Sequence, residues 1–227
     1  MKLRNCSKNK LRVKEDCSFC SELNNCDYNN IFLQIFKGSL SSRILKETTN
    51  FVVVPTLGQI VEGYLLIVSK EHYLSIGDLP YRYFDELSAL KKEIFDVLTK
   101  TYKSPIFYEH GAISYQQRGG CCVTHMHLHV IPTNVDLFPK IMQHLEGKQI
   151  QSILEIKRQF KKKVPYLYYE TAKGEKYLFD AFVIPSQYLR QLLSVELNLK
   201  DKWDWRRYIG EDKVIATLKK LSFWCDR

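Results

Sequence analysis

The stretch GGCCVTHMHLHVIP, Gly119 to Pro132, sets three imidazoles at alternate positions: His125, His127 and His129. Side chains along an extended strand alternate between its two faces. The three histidines therefore share one face, and Met126, Leu128 and Val130 share the other. The apolar set packs on helices. The imidazoles face water or a polar ligand, because burying three of them without partners is costly. A solvated face with incidental histidines is the ordinary alternative. The chain has only six histidines in 227 residues, four of them between His110 and His129, so chance clustering is a poor account. Positions i, i+2 and i+4 on a flat strand diverge too far to converge easily on one ion. Chemistry on an anion fits the spacing better.

The bulk charge agrees with an anionic ligand. There are 34 Lys and Arg against 25 Asp and Glu, a net charge of +9 that favours a nucleotide, a nucleic acid or an acidic membrane surface. Composition does not choose among them. Apolar runs such as YLLIV, Tyr64 to Val68, fall far short of the ~20 residues a membrane helix needs. The charged opening MKLRNCSKNKLRVKED lacks the apolar core of a signal peptide. The expected compartment is the reducing cytoplasm, where the seven cysteines serve as thiols or metal ligands rather than crosslinks.

Outward from the histidine strand, the pattern is mixed. Residues 1–16 read as a basic, Asn-rich arm. NIFLQIFKG (Asn30 to Gly38), FVVVPTLG (Phe51 to Gly58) and EGYLLIVSK (Glu62 to Lys70) are β-rich. A helix follows, capped by Asp78 with Pro80 in its first turn, and Phe84, Leu87, Leu90, Ile94, Val97 and Leu98 recur at helical spacing. SPIFYEHGAIS is another strand. After about residue 147 the character changes: a basic run KRQFKKK, a strand KYLFDAFVI, a helix through YLRQLLSVEL capped by Ser186, and a last amphipathic helix at KVIATLKKL. There is no internal repeat. Strands and helices without a βαβ rhythm predict an α+β fold with a largely antiparallel sheet.

His125-Met126-His127-Leu128-His129-Val130-Ile131 resembles the His-φ-His-φ-His-φ-φ signature of the histidine triad (HIT) superfamily, with every φ hydrophobic. CSFC at Cys17 to Cys20, GYLLIVSKEH leading to His72, EHG at Glu109 to Gly111 and the Gly119-Gly120 pair match family features around it. The resemblance covers roughly residues 15 to 140. It implies an antiparallel sheet of about five strands packed with a long helix, within a catalytic domain at 17–147, and a C-terminal α/β extension at 148–227. It also implies pairing as a homodimer.

The resemblance implies a chemistry as well. The middle histidine, His127, attacks the α-phosphorus of a nucleotide and carries the nucleoside monophosphate on its ring. The attack requires the other ring nitrogen to hold its proton against an acceptor. His129 contacts the phosphate or leaving group, His125 flanks it, and backbone N–H groups from Gly120 to Cys122 stabilise developing charge. Cys122 stands where relatives carry Ser or Thr, and a thiol is the weaker donor. Arg118, Gln116 and Gln117 reach the phosphates from their loop, simple loop exposure being the competing reading. His110 replaces a commoner acidic residue and is assigned at most an indirect role.

Cys17, Cys20, His72 and His125 together match a structural zinc site of the Cys₂His₂ kind. Packed thiols and a surface-turn histidine are the plain alternative. Cys6, Cys26 and Cys225 receive no role. Trp203 and Trp205, beside Arg206 and Arg207, read as a satellite core rather than as a base-stacking platform.

The expected activity is hydrolysis of a dinucleoside polyphosphate or nucleoside phosphoramidate through a nucleotidyl-His127 intermediate. The third triad position is typically Gln in the transferase branch and is His129 here, which leans toward hydrolysis. Nucleotidyl transfer, removal of an adenylate or cap from a nucleic-acid end, and a non-catalytic nucleotide- or RNA-binding module remain as alternatives. The partners implied are a nucleotide substrate and, from the charge, nucleic acid; no membrane is expected.

Overall fold

A computed structural model describes residues 12–225. Most of the arm expected over 1–16, and Cys6 with it, lies outside the described residues. The helices are α1 (Ser18–Leu23), α2 (Ile31–Ile35), α3 (Phe84–Thr101), α4 (Phe138–Ile141), α5 (Ile156–Lys161), α6 (Tyr188–Glu196) and α7 (Glu211–Lys220). The strands are β1 (Lys46–Glu47), β2 (Phe51–Pro55), β3 (Leu65–Ser69), β4 (Pro105–Gly111), β5 (His127–Pro132), β6 (Gly147–Ile150), β7 (Tyr166–Glu170) and β8 (Lys176–Asp180). All eight join one sheet in the order β1-β2-β3-β5-β4-β7-β8-β6. Every neighbouring pair is antiparallel.

The fold is α+β and HIT-like, as expected, but the sheet has eight strands rather than about five. β1 to β5 form the expected five. Within them β4 would be an edge, and an edge strand presents unpaired N–H and C=O groups. β7 covers it, pairing Phe107 with Glu170 through to Gly111 with Tyr166. The C-terminal strands thus continue the same sheet, and β6 straddles the expected boundary at 147/148.

Period-two alternation assigns each strand residue to one of two cores. Val53, Leu65, Ile67, Phe107, Leu128, Val130 and Tyr168 face α3, which buries Phe84, Leu87, Leu90, Ile94 and Leu98 against them. Removing one such leucine, Leu87→Ala, costs ~2–5 kcal/mol. Val52, Val54, Tyr64, Leu66, Tyr108, Ile131 and Tyr169 face the opposite side, toward Phe19 of α1 and Leu189 and Leu193 of α6. His127 and His129 project to this second side, in register with Val68 and Leu66 of β3. The histidine face is therefore roofed by α1 and α6.

Four sequence readings are corrected. NIFLQIFKG is not a strand: the Asn30 side chain accepts the Leu33 N–H at 3.0 Å and caps α2. The helix brings Phe32 and Phe36 into a stack at 5.1 Å, packed with Leu57 and Val214. Composition suggested β, and capping with tertiary burial decided helix. Asp78 does not cap α3; its carboxylate accepts the Leu74 N–H at 3.0 Å, two short 3₁₀ turns before that helix begins. Likewise Gln187, in the left-handed region at φ 61°, and not Ser186, stands at the start of α6. Cys26, given no role, departs from the expectation of uncrosslinked thiols: it is disulfide-bonded. Among the described residues no helix is long and apolar enough to cross a membrane.

Candidate active site

His127 is 7% exposed and sits on the floor of a pocket roofed by α1 and α6. Its Nδ1–H donates to the backbone carbonyl of His125 at 2.6 Å. That bond fixes the tautomer with the lone pair on Nε2, the form a nucleophilic imidazole requires. Burial holds its pKa down to about 4, only partly offset by that backbone hydrogen bond, so the ring is neutral near pH 7.

His129 lies beside it, with ring centroids 4.9 Å apart. The Tyr64 hydroxyl is 2.7 Å from His129 Nδ1 and 2.6 Å from the Tyr108 hydroxyl. If each hydroxyl donates toward the histidine, Nδ1 accepts and Nε2 keeps its proton for the pocket. Tyr108 also stacks on the His129 ring at 4.4 Å, which locks its orientation. Burial, then the neighbouring His127, pushes the His129 pKa well down. His110 lines the same pocket; its Nε2 accepts the Leu189 N–H at 3.4 Å, and burial holds its pKa to about 3.

His125 turns away from the other two. Its Nε2–H donates to the Ser69 carbonyl at 2.8 Å, and its Nδ1 lies 3.3 Å from Cys17 Sγ and 3.6 Å from Cys20 Sγ. Both nitrogens are engaged, so the ring offers none to a phosphate. It was expected both to flank the reaction and to bind metal; its ring lies among Cys17, Cys20 and His72, outside the pocket lined by His127 and His129. His72 is 3% exposed rather than a surface-turn residue, with Nδ1 at 3.4 Å from Cys20 Sγ and Nε2 at 3.3 Å from the Tyr115 hydroxyl. The four donor atoms of Cys17, Cys20, His72 and His125 all lie within 4.8 Å of one another. Tetrahedral zinc with Zn–S ~2.3 Å and Zn–N ~2.0–2.1 Å sets sulfur and nitrogen about 3.6 Å apart, so the donor set fits that ion. The sequence makes this possible locally: Cys17 caps α1 and Cys20 lies one turn on, so both thiols share a side. The Lys14 N–H donates to Cys20 Sγ at 3.4 Å, and Ser69 orients His125 from behind, the outer support that metal ligands need.

The glycine loop meets the pocket through Gly120, Cys121, Cys122 and Val123. Gly120 has φ +78°, and a Cβ there would come within 2.9 Å of Ile184. Of the three expected amides, that of Cys121 is spent on the Arg118 carbonyl at 2.9 Å. Cys122 Sγ accepts the Trp205 indole N–H at 3.2 Å. Arg118 and Gln117 are exposed and lie outside this pocket; Arg118 Nε–H bonds the Tyr115 carbonyl at 2.7 Å.

Three lining residues come from the C-terminal segment: Gln187, Arg190 and Trp205. None was singled out as a site residue from sequence, Trp205 being assigned to core packing. It does pack beside Phe32 and Leu57, and it walls the pocket as well. The legible signal for Arg190 was a lone cation beside Leu189 and Leu193 on the apolar face of an amphipathic helix.

The chain belongs to the histidine triad superfamily. More particularly, residues 29–144, just over half of it, match the family described as "Scavenger mRNA decapping enzyme C-term binding". The chain is 29% identical over 105 residues to the uncharacterized HIT-like protein MG132 of Mycoplasma genitalium, spanning 45% of this chain and 71% of that protein. It is 27% identical over 109 residues to the adenosine 5′-monophosphoramidase HNT1 of Candida albicans, spanning 45% and 68%. Among solved structures, a hypothetical histidine triad nucleotide-binding protein from Sulfolobus tokodaii aligns with TM-score 0.40 at 20% identity, covering 65% of this chain and 88% of that one. A zinc-bound histidine triad family protein from Mycobacterium smegmatis aligns with TM-score 0.36 at 20% identity, covering 59% and 91%.

Proposed function

We propose that the protein is a nucleotide hydrolase in which His127 Nε2 attacks the α-phosphorus of a nucleoside 5′-phosphoanhydride or phosphoramidate. The observation that carries this reading is the 2.6 Å bond from His127 Nδ1–H to the His125 carbonyl, which leaves Nε2 as the unprotonated atom. As the Nε2–P bond forms, the leaving group departs with the electron pair and takes a proton from His129 Nε2. His129 then withdraws a proton from water, which cleaves the P–N bond and releases the nucleoside monophosphate. The Tyr108–Tyr64 pair holds the His129 ring in place between the two steps, so that the Nε2 that gave its proton takes one back from water.

Zinc belongs to this reading as a structural ion held by Cys17, Cys20, His72 and His125. When bound it would supply a crosslink between α1 and the segments that follow β3 and precede β5. The chain's own residues do the chemistry.

The test uses substrate labelled at the α-phosphorus. A base quench should trap label on the protein as a P–N adduct that acid releases, and the His127→Ala variant should trap none. Label accumulating in a new nucleoside diphosphate or nucleotide-sugar would favour transfer over hydrolysis. One observation supports a second reading: the matching family is described from an mRNA decapping enzyme. A capped oligonucleotide belongs among the substrates assayed.

A further inference from the structure

Only Glu22, Arg43 and Arg190 carry full charge among the described residues that line the His127 pocket. Glu22 and Arg43 cancel, paired two-to-two at 2.7 and 2.8 Å. Arg190 is not cancelled. It is 3% exposed, and no carboxylate pairs with it among the described residues. Its neighbours are neutral: Nε–H donates to the Trp203 carbonyl at 2.7 Å, Nη2–H to the Gly58 carbonyl at 2.6 Å, and the guanidinium lies over the Tyr64 ring at 5.4 Å. Asp204, next along the chain from Trp203, is occupied by Arg206 at 2.9 and 3.1 Å and by the Gln187 amide at 3.0 Å. A buried cation without a carboxylate partner is costly, and one that lines a pocket is stabilised by an anion bound there.

The position of Arg190 says which anion. The preceding residue, Leu189, bonds His110, and the Tyr64 beneath Arg190 bonds His129. Arg190 thus stands at the His129 end of the pocket, away from the His125 and cysteine end. His129 is the group that faces the leaving group in the reading above, on which this inference rests.

We propose that Arg190 anchors a phosphate on the leaving-group side of the scissile bond, so that the site selects nucleotide phosphoanhydrides over phosphoramidates with an uncharged amine. In the step concerned, the His127 Nε2–P bond forms and the bond from α-phosphorus to the bridging oxygen breaks. The electron pair stays on that oxygen, which takes the His129 Nε2 proton, and its phosphate faces the guanidinium until it leaves. Water then adds its oxygen to phosphorus, the P–N bond breaks, and its proton goes to His129.

Binding of AMP and of the uncleavable α,β-methylene-ADP is compared by calorimetry in wild type, Arg190→Lys and Arg190→Met. No turnover is needed, so the result is independent of whether His127 is the nucleophile. Wild type should bind the diphosphate analogue at least ~10-fold tighter than AMP, the scale of one charge-assisted contact. In Arg190→Met that preference should collapse to within about 2-fold while AMP affinity holds, with Arg190→Lys between. Equal weakening of both ligands would overturn the proposal by placing Arg190 on the α-phosphate or in structure alone. So would a wild type with no preference, a measurement that stands even if Arg190→Met fails to fold.

Discussion

His125 joins two centres through two different groups: its backbone carbonyl accepts the His127 Nδ1–H at 2.6 Å, while its ring Nδ1 lies 3.3 Å from Cys17 Sγ. The position of the carbonyl that sets the His127 tautomer is therefore tied to the geometry of the Cys and His cluster. One residue touches both the Cys and His cluster and the candidate nucleophile.

That coupling gives the first prediction. Purified protein should carry about one zinc per chain, with Zn–S near 2.3 Å by X-ray absorption. Cys17→Ala should lose the metal and unfold at lower temperature. Its kcat should fall ~10–100-fold, the usual scale for disturbing a metal's supporting shell, because the His125 carbonyl loses its anchor. A metal-free wild type, prepared without chelators, would instead mark these residues as packed thiols and imidazoles.

Removing the nucleophile should separate chemistry from binding. His127→Ala should lower kcat on the order of 10⁴-fold or more while nucleotide affinity stays within a few-fold, since the glycine loop and Arg190 remain. Single-turnover assays and equilibrium dialysis on the same preparation read the two quantities. Near-normal turnover would remove His127 from the mechanism.

Tyr64→Phe takes away the hydroxyl 2.7 Å from His129 Nδ1 and 2.6 Å from the Tyr108 hydroxyl. A lost partner for a buried polar atom costs ~1–3 kcal/mol, here felt where His129 handles a proton. kcat should drop about 10–100-fold with KM little changed, and the loss should be smaller for a substrate with a better leaving group. Loss of KM alone would make Tyr64 a packing residue.

Glu109 supplies a pH signature remote from the chemistry. It is buried on the α3 side, accepting the Ile76 N–H at 2.9 Å and the Tyr166 O–H at 2.6 Å. Burial, partly offset by those bonds, pushes its pKa from 4.5 up to about 8. A raised pKa means that the folded state holds the proton more tightly than the unfolded one. The stability from this group is full below about pH 4.5, declines as pH rises, and is gone above about pH 8. Urea melts between pH 5 and 8.5 should show that decline, and Glu109→Gln should flatten it. An unchanged slope in the variant would assign it elsewhere.

The histidine strand was legible because a two-residue period survives any tertiary context: His127 and His129 face one core, Leu128 and Val130 the other. Cys17, Cys20, His72 and His125 were legible as chemistry, each a ligand type with few other uses in that grouping. What sequence did not show is non-local. The pairing of Tyr166–Glu170 with Pro105–Gly111 spans over fifty residues, and nothing in either segment names its partner. The Asn30 cap outweighed a β-rich run, a contest between one hydrogen bond and composition. Arg190 reads as one cation in an amphipathic helix until Gly58 and Trp203 are seen to hold it.

The strand β7 that closes the β4 edge also sets an order of events during synthesis. A nascent chain grown to residue 147 already contains all three triad histidines and the four cluster residues, yet its β4 edge is bare. The wall made by Gln187, Arg190 and Trp205 has not yet been translated. Such an intermediate presents an adhesive strand and an imidazole open to bulk water, a combination that invites misassociation on the ribosome. Residues 148–225 cover that edge with β7 and add Gln187, Arg190 and Trp205 to the pocket wall, so one stretch of chain removes both exposures.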